Sequence, residues 1–239
     1  NEFKKDCFEN EINRAIMLSK ADLTSSMVGE FPELQGVMGS YYALYKNEHP
    51  LVARAIYEQY LPNGENSELP NGIFSSIIAI SVKFETLIGL FSIGKIPNGN
   101  KDPYALRRAA LGILKIVLNQ NLNFNIASVI KKLAKNYAKF DENSLINFLK
   151  DRLYSLYDAN VSVIKACINS GENDIKKLNS AIISLDEISK ETDFSEKFAT
   201  FKRLANIIKD EKIGVVNEAL FENETEILLN SAFKSLDLN

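Results

Sequence analysis

Residues 95–116, KIPNGNKDPYALRRAALGILKI, decide how this chain reads. Asn98, Gly99 and Asn100 are residue types that tolerate the positive φ of a tight turn, so the chain is expected to reverse there. Asp102 followed by Pro103 reads as an N-cap and a first helical position: a carboxylate accepts orphan amide protons, and proline needs no donor of its own. Leu106, Ala110, Ile113 and Val117 then recur at helical spacing and should face a core. Tyr104, Arg108, Gly112 and Lys115 fall on another face, with Arg107 at its border. The same helical spacing recurs through the chain and strand-like alternation is nearly absent, so the predicted fold class is all-α.

Charge singles out the same region. Between Lys83 and Lys135 there are nine Lys or Arg and only Glu85 and Asp102 as acids, a local net of +7 in a chain whose total is −3. Such sign asymmetry points to an anionic partner for the middle of the chain. A cationic face with the small Gly112 in it would let a phosphate backbone come close. The competing reading is a solvated helix face.

Outward from this stretch, Phe8, Ile12, Ile16, Ser19, Leu23 and Met27 step by three or four, which predicts one long helix from near Phe3 to Val28, stopped by Gly29 and Pro32. Helices are expected over about 33–46 and 51–60, a loop over 62–70, and a buried helix over about 72–91. That last segment is the most apolar, but Lys83 and Glu85 interrupt it, so it reads as a core helix and not as a membrane span. Apolar periodicity lapses at 119–125, NQNLNFN, the predicted boundary between a domain at 1–120 and another at 121–239. Beyond it helices are expected over about 126–138, 144–157, 161–169, 174–189, 195–209 and 215–234. Phe194, Phe198, Phe201, Ala205 and Ile208 form an apolar stripe on one of them.

Counting removes much chemistry. The one histidine, His49, precedes Pro50 in a loop, so schemes needing several imidazoles or a Ser-His-Asp triad find too few partners. Neither phosphate-loop pattern, GxxxxGK[ST] nor GxGxxG, occurs. Asp22, Glu30, Glu33, Glu58 and Glu85 would converge if the first helices pack, but scattered acids are ordinary on helical surfaces. Cys7 and Cys167 lack ligand spacing and read as thiols of a reducing compartment. The chain starts at Asn1 without an apolar leader, which reads as an excised piece of a cytoplasmic protein. On the C-terminal side Lys202, Arg203 and Asn206 share one side of a helix. They suit phosphates and base edges, or equally a packing hydrogen bond between helices.

Three long segments carry a resemblance. KADLTSSMVGEFPELQGVMGSYYAL at 20–44, VARAIYEQYLP at 52–62 and IGLFSIGKIPNGNKDPYALRRAALGILKI at 88–116 resemble the β subunit of bacterial glycyl-tRNA synthetase, the α2β2 type, over about the first half of the chain. FLKDRL at 148–153 and FKRLANII at 201–208 are similar to the helical anticodon-binding region that follows in that family. The resemblance implies a degenerate HD-type helical domain over 1–120 and an anticodon-binding-like domain over 121–239, truncated at its end. It also implies that the α subunit activates glycine while the β subunit holds the tRNA. ATP and Mg would serve the holoenzyme, with no cofactor, catalytic residue or metal in this piece. Ala21-Asp22 stands where a His-Asp pair would be sought, Gln59 where some relatives have histidine, and residues 81–85, SVKFE, replace an ADKxD-like run.

The expected function is therefore binding and positioning of glycine tRNA in a ligase that also contains the α subunit, with neither membrane nor DNA as partner. Lys101, Arg107, Arg108 and Lys115, with Lys95, are the candidate phosphate contacts, and Lys202, Arg203 and Asn206 the candidates in the second domain. The alternatives are a metal-dependent HD-type phosphohydrolase and an architectural module whose basic face docks on an acidic protein surface.

Overall fold

The computed structural model describes residues 9–64, 66–99, 101–208, 214 and 216–235, among which the regular elements are helices, with no strand. The chain divides into two compact units, Asn1–Lys190 and Glu191–Asn239.

The first unit opens with α1 (Glu9–Leu18), a 3-10 turn at Ala21–Thr24 and the short α2 (Ser26–Glu30). This corrects the single long helix expected over 3–28, whose first residues lie outside the described ones. The break has a physical cause in Asp22. Its side chain is buried, and its Oδ2 accepts the backbone N–H groups of Gly36 at 2.6 Å and Gly39 at 3.2 Å. An interior carboxylate must be hydrogen-bonded, and the turn satisfies that need where a straight helix would continue. Ser25 then caps α2 by accepting from the Val28 amide.

Gly36, at φ +81°, leads into α3 (Val37–Tyr45); a Cβ there would sit 2.7 Å from the Tyr60 ring. Gly39 is equally constrained, since its Cβ would meet Ile56 at 2.7 Å and Asp22 Oδ2 at 3.0 Å. Gly36 is thus required by its positive φ and the Tyr60 ring, and Gly39 by its packing against Ile56 and Asp22. His49 caps α4 (Pro50–Glu58) with its ring Nδ1, which accepts from the Leu51 amide at 3.2 Å.

The central element is α5 (Gly72–Ser92), long and apolar enough by length and composition to cross a membrane, yet here mostly buried among other helices. Its first half joins Val52, Ile56, Ala15 and Ala43 in a smaller core through Phe74 and Ile78. Its second half, with Phe84, Leu87, Ile88 and Phe91, enters the main core. There it meets α6 (Leu106–Asn119), whose Leu106, Ala110, Ile113 and Val117 are fully buried as the spacing predicts. The same core continues through α7 (Ile126–Leu133), α8 (Glu142–Lys150), α9 (Val161–Asn169) and α10 (Ile175–Ser189).

Residues 119–125 border this core and reach it through Phe124 and the partly buried Leu122. Phe124 is buried and stacks on Phe84 with centroids 5.9 Å apart, and Asn125 caps α7 by accepting from Ser128. Backbone bonds from Ile126 to Asn173 and from Ile175 to Phe124 tie the stretch to the start of α10. Cys167 is buried on α9; Cys7 lies outside the described residues.

The second unit contains α11 (Phe194–Ile208) and α12 (Glu224–Ser235). Phe194 and Phe198 stack at 5.6 Å, and Phe198, Phe201 and Ile208 of the predicted stripe are exposed.

Candidate nucleic-acid interface

The site begins with the turn before α6. Asn98 and Lys101 exchange backbone hydrogen bonds of 3.3 and 3.0 Å around Gly99, at φ +53°, as the turn residues predict; Asn100 lies outside the described residues. Asp102 caps the helix, but from further away than expected. Its two carboxylate oxygens accept the amides of Leu106 and Arg107, each at 2.9 Å. Helix α6 therefore starts at Leu106 and not at Pro103, because Ala105 adopts the left-handed conformation, φ 53° and ψ 35°. One carboxylate thus satisfies two of the orphan donors, and an anion at a helix N-terminus is favoured by the helix dipole. The Arg107 guanidinium donates to the Gly99 carbonyl and fastens the turn to the helix.

Past this start, Arg108, Gly112 and Lys115 lie on one stripe of α6. Gly112 does not stand open on that stripe as expected. It is buried, and a Cβ there would lie 2.9 Å from Lys83 Cε and 3.3 Å from the Pro62 ring. The missing side chain lets the Leu61–Pro62 segment close against α6. Lys83, on α5 and buried, holds that segment: its ammonium donates to the carbonyls of Gln59 at 3.1 Å and Leu61 at 2.6 Å. Burial, with the nearby Lys20 charge, pulls the pKa of the Lys83 ammonium down to about 8.

The result is a groove of about 320 Å³ with Arg107, Arg108 and Lys115 along one wall, Pro62 and Gly64 on a second, and Arg152 with Ser155 on a third. Four cations and no acid stand among its described lining residues. Arg152, on the 3-10 turn Asp151–Ser155 after α8, carries its guanidinium 5.3 Å above the Phe148 ring. Its Nε is buried and has no hydrogen-bond partner among the described residues.

Of the sequence candidates, Arg107, Arg108 and Lys115 are brought together at this groove. Lys95 and Lys101 are exposed and are not among its lining residues. Lys202, Arg203 and Asn206 are exposed on α11, in the second unit. Arg152 was missed as a site residue. The only signal was its place in the FLKDRL segment, because isolated spacing cannot show that residue 152 folds back beside residue 108.

The positions where an HD-type metal centre would be sought fit no divalent cation. Asp22 directs one oxygen to two amides and leaves Oδ1 buried without a partner, while Gln59 donates to the carbonyls of Ser19 and Ile56. Two ammonium groups occupy the neighbourhood, Lys83 on the Gln59 carbonyl and Lys20 on the Tyr60 hydroxyl at 3.1 Å. Burial lowers the Lys20 pKa against the pull of Glu85 and Asp22. One carboxylate, one carboxamide and two ammonium groups are not a ligand set for a hard or borderline metal. No cluster of three or more His, Cys, Asp or Glu suited to a metal occurs among the described residues.

Fold and site together define an all-α protein with a cation-lined groove on a rigid helical core. Comparison with known proteins narrows this. A family model described as glycyl-tRNA synthetase beta subunit matches residues 2–169. Curated proteins named glycine–tRNA ligase beta subunit align along nearly the whole chain. That of Helicobacter pylori (strain G27) is 43% identical over 235 residues, 94% of this chain and 34% of the relative. That of Oleidesulfovibrio alaskensis is 35% identical over 246 residues, 95% and 35% respectively. The Streptococcus suis (strain 05ZYH33) protein is 35% identical over 234 residues, 95% and 34%. The chain belongs to the glycyl-tRNA synthetase β-subunit family. It spans about a third of the length of the curated relatives it matches.

Proposed function

We propose that this chain is a tRNA-binding and positioning part of a glycyl-tRNA synthetase β subunit, supporting attachment of glycine by an assembly that includes the α subunit and uses ATP and Mg. The observation that carries the reading is the convergence of Arg107, Arg108, Lys115 and Arg152 on one groove, on a rigid helical core, in a chain of net charge −3. Guanidinium and ammonium groups neutralise backbone phosphates and fix the register of an RNA without reading its sequence. Lys101 extends the positive face before α6, and Lys202, Arg203 and Asn206 would bind the RNA from the second unit. The chemistry of glycine activation is assigned elsewhere in the assembly.

The test is a titration of the chain with glycine tRNA at several salt concentrations. Replacing Arg107 and Arg108 together by Ala should weaken binding by at least about tenfold and lower the salt slope by about two, one for each phosphate no longer neutralised. Thermal melting of the variant controls for removal of the Arg107 bond to Gly99. Unchanged affinity in a folded double variant would remove α6 from the interface.

A further inference from the structure

We propose that the cavity between α5 and α7 takes one unpaired RNA nucleotide whose base carries an exocyclic amino group. The proposal rests on the tRNA-positioning reading and adds to it a base-reading site, which shares no described lining residue with the α6 groove.

Size narrows the occupant first. The cavity measures about 280 Å³, just below the roughly 300–1,000 Å³ of sites that enclose a whole drug-sized ligand. It has room for one base or one side chain. Phe84 and Phe124, both buried and stacked with centroids 5.9 Å apart, form its floor. Val129 and Leu133, one turn apart on α7, line it across from Ile80 of α5. Tyr137 follows the 3-10 turn after α7, and a Cβ at Gly89 of α5 would lie 3.7 Å from its ring. Aromatic and aliphatic walls of this kind take up the face of an unstacked base.

The polar groups on the α5 side accept and do not donate. Glu85 and Ser81 stand one turn apart at its rim, both exposed. The Ser81 hydroxyl donates to the Ile77 carbonyl at 2.8 Å, which leaves its lone pairs to accept. The Glu85 carboxylate makes no hydrogen bond or ion pair among the described residues. Lys20 feels its charge, yet the Lys20 ammonium donates to the Tyr60 hydroxyl instead. A free carboxylate beside a hydroxyl lone pair calls for a group with two N–H donors, and an exocyclic amine is one. Burial and the nearby Glu85 charge raise the Tyr137 pKa, so its phenol stays protonated and can donate to the ring acceptor beside that amine.

Outside the cavity the sign reverses. Lys132 lines it from α7, and Lys131 and Lys135 follow; all three are exposed and unpaired among the described residues. Residues 126–140 hold four lysines and no acid. The occupant must therefore bring donors to Glu85 and negative charge to the lysines. A nucleotide carries both in one unit, the amine on its base and the charge on its phosphate. No single amino-acid side chain does: a carboxylate would meet Glu85, and an ammonium would meet the lysines. A base already in a Watson–Crick pair has spent its amine, so the nucleotide is unpaired.

The experiment measures binding of the whole 239-residue chain to end-labelled oligocytidine, oligoadenosine and oligouridine, each about six nucleotides long, by fluorescence anisotropy over roughly 50 to 200 mM salt. Cytosine and adenine should bind about tenfold more tightly than uracil, which shows a carbonyl oxygen where cytosine shows its amine. Glu85→Ala should cut that preference to below about twofold while leaving oligouridine bound as well or better, because a negative charge has gone. A merely structural role for Glu85 would weaken all three together. Ser81→Leu, at an exposed position of α5, should weaken oligocytidine and oligoadenosine alone. Lys132→Gln should weaken all three and lower the salt slope by about 0.7.

Equal wild-type affinities, or a preference untouched by Glu85→Ala, would overturn the assignment. So would cytidine monophosphate binding as tightly as oligocytidine, which would make this a site for free nucleotides. Weakened α subunit association with unchanged RNA binding in the Glu85 and Ser81 variants would make it a protein dock. Glycine tRNA that binds through Arg107 and Arg108 while no oligonucleotide binds at low salt would overturn this site and leave the positioning reading standing. No binding of tRNA or oligonucleotide would sink both.

Discussion

Lys83 shows how a residue gets its role from its surroundings. In sequence it is a charge that interrupts an apolar run; in the fold it is a buried ammonium clasping the carbonyls of Gln59 and Leu61. Its pKa falls from 10.5 to about 8 through burial and the nearby Lys20 charge. Between those two pH values the unfolded chain keeps the proton while the folded chain has released it, so stability rises with pH across this window. The stability of the wild type relative to Lys83→Met should therefore increase by about 3 kcal/mol from pH 8 to 10.5, read from urea unfolding midpoints. A flat difference would mean that the carbonyl bonds hold the proton as firmly as water does. Comparison with the variant also cancels Tyr60 and Tyr157, whose burial pushes both phenols to about 12 and acts in the opposite direction above pH 10. Arg152 is the counterpart case: its charge was visible, but its companions at residues 62, 108 and 115 are distant in sequence, and only packing brings them together.

At the scale of elements, apolar spacing located the helices and polar chemistry set their ends. Helix α6 and the helix at Val161–Asn169 lie where periodicity places them, because a buried stripe tolerates no shift in phase. The ends moved where a side chain had a better partner. Asp22 broke the expected first helix to reach Gly36 and Gly39, and Ala105 turned left-handed so that Asp102 reaches two amides of α6. Neither choice follows from propensity, since each depends on where a second segment lies. Asp102→Ala should cost about 1–2 kcal/mol and speed hydrogen exchange at the Leu106 and Arg107 amides, with little change elsewhere. Equal protection of those two amides in the variant would show that the carboxylate is not their partner in solution.

At the scale of the molecule, α5 is shared between two apolar clusters, and the larger of them gathers residues from Ala79 to Ile182. Leu149 sits fully buried in it, so Leu149→Ala should destabilise the first unit by about 2–5 kcal/mol and shift one cooperative transition. Two transitions moving separately, as followed by far-ultraviolet circular dichroism, would divide that core. The polar stretch 119–125 belongs to the same lesson: its amides broke the periodicity, while Phe124 and the backbone bonds to the start of α10 bind it into the interior. What the sequence by itself determined was the all-α class, the phase of the buried stripe of α6, the family, and the concentration of positive charge around that helix. Those are local or compositional properties, set by side-chain spacing and residue type. Tertiary structure alone decided that Gly112 would be covered, that Lys83 would hold the Leu61–Pro62 segment, and that Arg152 would complete the groove. Each of these depends on segments far apart in the chain meeting within a few ångströms, and no one-dimensional period records such a meeting.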